Sequence, residues 1–391
     1  MCSQGDRFPS PWRGSRRAPS AIARVRRAAA LLAPALLGLH GAASAQERPT
    51  VESLEARIAA LEAEGARPGL GMGARYGEVT ASFQVFGDAR ATYRTPDLLD
   101  DANTIVSQGT ATFLVNAQLG ERFRVLSETI IDSDRSPSQE LLWGAWTFGD
   151  ELYAKIGTEH GNVSRWNQLN HHGAWLETTI SRPYLARFEG DDGILPMHRT
   201  GVELGGTVAT SAGRIEYFGV VSNGRGADPA DKQRSTDVDD EKDIDLGIAF
   251  LPEAVPDLRV GAAVQFNEIP VDPSSTDPLR ARSIEETVAA AHVQYRMGDV
   301  ELFSELGWVE HEARADGSDF GHTTGYVQVS WERGDWTPYA RIDWRNMRRN
   351  DPFYAPADRD LDRWKQILGA RRELTQNAAL KFELGFGEEE I

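Results

Sequence analysis

Between residues 79 and 93 apolar and polar side chains alternate. Val79, Ala81, Phe83, Val85, Gly87, Ala89, Ala91 and Tyr93 share one side. Thr80, Ser82, Gln84, Asp88, Arg90 and Thr92 share the other, where Phe86 is the one apolar intruder. Successive side chains of a strand point to opposite faces, so this is a long ribbon with one greasy and one polar face. The pattern returns along the chain. It predicts fifteen strands: 77–94, 105–119, 122–132, 140–149, 151–159, 200–210, 213–222, 243–251, 257–269, 284–297, 299–312, 323–333, 336–346, 364–373 and 377–387.

The connections alternate in length. Tight ones carry turn residues, as at Gly120, Gly149-Asp150, Gly298-Asp299 and Gly334-Asp335. Long ones lie between them, at 95–104, 160–199, 223–242, 270–283, 313–322 and 347–363. A soluble sandwich hides its apolar face between two sheets and uses short strands. Long strands with a charged second face, joined alternately by short turns and long loops, read as an all-β, transmembrane antiparallel β-barrel. Lipid-facing candidates include Leu204/Val208, Ile244/Leu246/Ile248/Phe250 and Leu380/Phe382/Leu384/Phe386. Trp146, Tyr295, Trp308, Trp331, Trp336, Trp344 and Trp364 near strand ends are candidates for the aromatic girdles at the two interfaces. Bacterial single-chain barrels have an even number of strands, so about 16 are expected. The last strand is missing from the pattern. It is expected after residue 387, returning to pair with strand 77–94; a 14-strand barrel is the rival.

The segments before the barrel read separately. Arg13, Arg16, Arg17, Arg24, Arg26 and Arg27, the apolar run 28–39 and Ala43-Ser44-Ala45 form a secretory signal peptide over 1–45. Within 46–66, Val51, Leu54, Ile58 and Leu61 give an a/d seam on a short periplasmic coiled-coil helix that would self-associate. A polar, Gly-rich hinge follows at 67–75, and the barrel takes 76–391.

Removing the signal sharpens the composition. It holds seven arginines and one aspartate, which leaves 35 Lys+Arg against 58 Asp+Glu, a net charge of −23. Such a chain is a poor partner for nucleic acid, whose phosphates need clustered cations. The only cysteine, Cys2, leaves with the signal, so the mature chain has no disulfide and no thiolate metal site.

The polar faces carry both signs. Arg90, Arg122, Arg124, Lys155, Arg214, Arg341, Arg345 and Lys381 interleave with Asp88, Glu128, Asp132, Glu216, Glu301, Glu305, Asp343 and Glu383. Burying these dry would cost several kcal/mol each, which predicts a wet lumen. The 160–199 segment is too long for a plain hairpin loop and rich in aromatic and apolar residues. It is expected to fold inward as a constriction, where Arg165, Arg182 and Arg187 oppose Glu189, Asp191 and Asp192. Adjacent His171-His172 point apart on an extended chain and make a poor metal pair. No HExxH, no Cys/His cluster and no marked nucleophile occur, so neither enzyme, metal site nor cofactor is expected. The acidic run over 228–245 (Asp228, Asp231, Asp237, Asp239, Asp240, Glu241, Asp243) has no EF-hand spacing and reads as a solvated surface run, where divalent ions could bridge to lipopolysaccharide.

A signal peptide, the helix SLEARIAALEAE and a strand-rich barrel together resemble the coiled-coil-headed porins of the Gram-negative outer membrane, of the DcaP type and the phosphate-selective porin O/P type. The stretch 153–204 is similar to a segment recurring in porin-like proteins. The resemblance implies a trimeric diffusion channel with an inward-folded loop. It fixes no substrate. Such barrels end in an aromatic residue, and this chain ends GFGEEEI. Two functions follow as expectations: a passive channel for small polar or anionic solutes, or a non-conducting outer-membrane structural or receptor protein.

Overall fold

A computed structural model describes residues 71–76, 79–94, 103–131, 136–170, 177–187, 193–230, 241–354 and 362–387. The signal peptide and the 46–66 helix lie outside these residues.

Sixteen strands form one antiparallel sheet in which every strand pairs with the next in sequence. They are β1 Gly71–Tyr76, β2 Val79–Arg94, β3 Asn103–Leu119, β4 Phe123–Ile131, β5 Pro137–Gly149, β6 Leu152–His160, β7 His198–Thr210 and β8 Gly213–Asn223. The rest are β9 Lys242–Pro252, β10 Leu258–Ile269, β11 Ile284–Met297, β12 Val300–Ala313, β13 Ser318–Trp331, β14 Trp336–Asn346, β15 Asp362–Thr375 and β16 Ala378–Gly387. The sheet is a transmembrane β-barrel. Charges from its two ends meet inside: Arg90 of β2, Arg341 of β14 and Lys381 of β16 all act on the carboxyl of Glu177.

Side-chain exposure shows which face meets lipid. Ile244, Leu246 and Ile248 alternate as exposed residues with buried Asp243 and Asp245. Leu306, Ile342, Leu368 and Leu384 are exposed, whereas Glu305, Arg341, Asp343 and Lys365 on the opposite face are buried. An apolar outside and a charged inside suit a bilayer, where only every second residue touches hydrocarbon. Trp146, Trp331, Trp336 and Trp364 are also exposed, as girdle residues require. No described helix is long and apolar enough to cross a membrane, which bears only on helices.

Three details differ from the sequence expectation. Residues 71–76, all but the last assigned to the hinge, form β1 and pair from Tyr76↔Val79 to Gly71↔Gln84. The sixteenth strand therefore occupies the edge of β2 that was reserved for a strand after residue 387. Six residues with two glycines carry too little alternation to be legible. Second, the 313–322 loop shrinks to 314–317, because Ser318–Thr323 pair with β12 and Phe320 and His322 turn inward. Third, Asp243 is not part of a solvated run. It lies fully buried on the inner face of β9, beside Gln265 and Ser222.

The hydrophobic core of the molecule is inside the barrel. Trp166, Leu185, Ile194, Leu195 and Met197 of the segment after β6 pack on Ile269, Ile284, Val288, Phe303 and Val309 of β10–β12. Each fully buried aliphatic side chain contributes roughly 1.5–3 kcal/mol. Gly307 keeps this contact open: a Cβ there would come within 3.2 Å of Leu185 Cδ1.

Candidate functional site

The segment between β6 and β7 is held by the charged inner wall. It opens with Gly161, whose N–H donates to the Met197 carbonyl at 2.7 Å and pins the two ends of the segment together. A short helix, α1 (Arg165–Asn170), follows. Ser164 Oγ accepts the N–H of Asn167 in its first turn. The two leading N–H groups, of Arg165 and Trp166, donate to the Glu305 carboxylate of β12 at 2.7 and 2.5 Å. Tyr326 Oη donates to the same carboxylate at 3.0 Å.

Farther on, Glu383 of β16 accepts the N–H groups of Ile180 (2.8 Å) and Ser181 (3.2 Å). Arg341 donates to Thr179 Oγ1, the Ser181 carbonyl and Ser181 Oγ, and its Nε meets Asp343 at 2.7 Å. Lys381, Arg371 and Lys365 donate to the carbonyls of Thr179, Glu177 and Arg182. Tyr184, in a single 3₁₀ turn at Tyr184–Ala186, is fully buried with Lys365 Nζ 4.7 Å from its ring centre and Arg345 at 5.6 Å.

Much of the charge on β12–β16 is therefore compensated by the inserted backbone, not by bulk water. That corrects the expectation of a uniformly wet lumen. A buried charge is tolerated once paired and hydrogen-bonded, and a loop with bare amides and carbonyls supplies those partners. A second buried network sits on β6, β7 and β9, where Arg199 joins Glu159, Glu203 and Asp245, and Lys155 joins Glu159 and Glu203.

Away from the anchored wall a cavity of about 560 Å³ remains. Its lining comes mainly from β2–β11 and α1, including Phe86, Trp143, Lys155, Arg165, Glu203 and Arg259. Arg259 pairs with Glu216 at 2.5 Å and donates to His292 at 3.3 Å. Among the described residues the Arg165 guanidinium bonds only Gln168, at 3.0 Å; its Nε has no partner there, and no carboxylate of those residues lies within ion-pair distance. Burial and then the Arg259 guanidinium push Arg165 down to about 10, against the pull of Glu216 and Glu305.

The expected site residues that are described fall into three groups. Lys155 and Arg165 line the cavity. Arg182, Arg187, Arg341, Asp343 and Arg345 build the anchored side: Arg182 covers the Trp166 ring at 5.1 Å and Arg187 the Tyr184 ring at 4.9 Å. Arg90 is exposed on β2, Arg124 bonds Asn116 and lies 5.6 Å from the Trp143 ring, and Arg122 stands exposed in the turn before β4. Glu189, Asp191 and Asp192, with His171 and His172, lie outside the described residues.

Sequence reasoning missed a buried cluster built by β11–β13 and the connection after β14. Asp351 Oδ2 meets His311 Nδ1 at 2.7 Å and His322 Nε2 at 2.5 Å, and His311 Nε2 meets Glu286 at 3.1 Å. Arg225 completes the cluster by donating to Glu286 and to Tyr354 Oη. The three groups His311, His322 and Asp351 are close enough to hold a cation. The hydrogen bonds argue otherwise. The Arg348 N–H points at His322 Nδ1, which must then be the acceptor, so Nε2 carries the proton and donates to Asp351. The cluster ties the connection after β14 to the wall. Burial alone would raise the Asp351 carboxyl, but the two rings outweigh it and hold it below the usual carboxylate range.

No protein-family profile matches the chain, and no curated protein matches its sequence. Solved structures do match in shape. OmpF of Salmonella typhi, in complex with daunomycin, aligns with a TM-score of 0.55 at 9% identity over 81% of this chain and 92% of that one. OmpT, an outer membrane protein of Vibrio cholerae, aligns with a TM-score of 0.52 at 10% identity over 80% and 88%. Its trimer form aligns at 0.50 and 10% over 79% and 89%. At such identity the likeness is one of fold, and the fold is that of the outer-membrane β-barrels.

Proposed function

We propose that this chain is a passive diffusion channel of a Gram-negative outer membrane, for small polar or anionic solutes, narrowed by the segment 160–199. One observation carries the reading. The segment is fixed by its own backbone to the wall of β12–β16, while a cavity lined by both charged and apolar side chains persists on the other side. A barrel built only as an anchor needs no inserted segment with so many fixed anchor points. Lipid and lipopolysaccharide are the partners of the apolar outer face. A homotrimer is supported by the trimer form of the structurally similar OmpT and by the heptad seam at 51–61. The transverse field between Arg165, Arg182 and Arg187 and the acids at 189–192 belongs to the same reading.

The test is conductance of the purified protein in planar bilayers. Stepwise, voltage-independent openings in KCl are expected. A properly assembled protein that never conducts would favour the anchor or receptor alternative.

A further inference from the structure

The cavity beside the inserted segment has two unlike sides. On β2–β5 the inward positions Phe86, Leu114, Leu126, Leu141 and Trp143 interrupt the charged interior with an apolar wall. Phe86 is the residue that already broke the alternation of its strand. The other side carries charge, and most of it is matched. Lys155 is closed by Glu159 and Glu203, and Arg259 by Glu216. Arg165 is the exception. Glu305 fixes its backbone, its guanidinium lines the cavity within electrostatic reach of Arg259, and its Nε lacks a partner among the described residues. Arg259 thus has Glu216 as its ion-pair partner, and Arg165 has none among the described residues.

A small inorganic anion would answer Arg165 but leave the apolar wall wet. A neutral apolar solute would cover the wall but leave the cation unpaired. Only a molecule with both parts answers both sides, and about 560 Å³ lies within the usual size of a small-molecule site. We propose that this cavity is a binding subsite for organic monocarboxylates with an aromatic or branched apolar body. The carboxylate meets Arg165 and Arg259, and the body lies on Phe86, Leu126, Leu141 and Trp143. The role in transport rests on the channel reading; the binding itself does not. Glu128, also on this lining, stands on β4 among the apolar residues, so an aromatic cation is the natural counter-probe.

Equilibrium dialysis of the full-length protein in detergent tests the site with benzoate, acetate, inorganic phosphate and benzylamine. Benzoate should bind saturably and about tenfold more tightly than the other three, the scale of one charge-assisted hydrogen bond or one buried ring. Arg165→Gln should weaken benzoate about tenfold, whereas Arg165→Lys keeps most of the affinity and reports that the segment still folds. Trp143→Ala should narrow the preference of benzoate over acetate. In bilayers, benzoate should interrupt KCl current over the same concentration range. Phosphate or acetate binding as tightly as benzoate, tighter benzylamine, or an Arg165→Gln variant that binds like the parent would each overturn the proposal. Saturable benzoate binding without conductance would keep the site and remove the channel. Conductance without benzoate preference would do the reverse.

Discussion

Trp166 and Glu305 are joined across 139 residues of chain by one hydrogen bond, from the Trp166 N–H to Glu305 Oε1 at 2.5 Å. The bond decides where the inserted segment starts to run along the wall. It also puts Arg165, one residue earlier, on the cavity lining.

Glu305→Ala is therefore expected to loosen the segment. It removes the acceptor of two N–H groups and of Tyr326 Oη, and buried donors without partners cost on the order of 2–4 kcal/mol together. Single-channel conductance should rise or flicker, and the urea midpoint should fall. An unchanged conductance in a folded variant would put the segment outside the conduction path.

Deleting 172–190 should raise conductance more than any point change at Glu305, since it removes the anchors to Glu383, Arg341 and Lys381 together. If the shortened protein folds and conducts like the parent, the constriction lies elsewhere.

Docking of the segment should depend on pH through Glu177. Burial pushes its carboxyl up to about 7, only partly offset by Arg182, Lys381, Arg341 and Arg90. A raised carboxyl is protonated in the docked state. The linked stability is complete below the free value of about 4.3 and drains away as pH rises through about 7. Hydrogen exchange at Ile180 and Ser181, corrected for intrinsic rate, should be faster at pH 8 than at pH 5. Glu177→Gln should flatten that difference, and a parent protein with no difference would contradict the assignment.

Asp351 works in the opposite sense. Its depressed carboxyl stabilises the fold above the free value of about 3.9, and the contribution is lost as pH falls. Asp351→Ala leaves the imidazoles of His311 and His322 without their shared acceptor and should cost about 3 kcal/mol. Protease access to residues 347–354 is the readout; equal resistance in variant and parent would make the cluster incidental.

Lipid contact can be checked on β15. Leu368 faces Leu384 across the β15–β16 pair, and both are exposed on the outer face. Leu368→Arg should destabilise the barrel by about 2–4 kcal/mol if the site lies near the midplane, read by unfolding from vesicles. A neutral effect would mean that this face is covered by protein.

The strands were legible because a half-lipid, half-aqueous wall must repeat every two residues, and β14, spanning 336–346, matches its reading to the residue. β13 was shortened because Ser318-Asp319-Phe320-Gly321 looks like a turn until its pairing with β12 is known. Phe86 was legible as an anomaly, although its meaning waits on Trp143 and Leu141, more than fifty residues away. The anchors of the inserted segment were not legible. Nothing local to Glu305 or Glu383 says whose amides they will receive. The same holds for Asp351, in the connection after β14, whose partners His311 and His322 sit on β12 and β13.

The uninterrupted strand order has a consequence for assembly. Each described strand finds its partner in the adjacent stretch of chain, so the wall can be laid down hairpin by hairpin at little loop-closure cost. The insert cannot follow that schedule. Its acceptors on β12 and β16 lie 139 to 203 residues downstream. On the channel reading, a nascent barrel therefore passes through a stage with a hole wider than its final one, and chains halted before β14 should expose 177–187 to protease where finished ones do not. The polypeptide makes the insert early and must finish the wall before that insert has anything to hold.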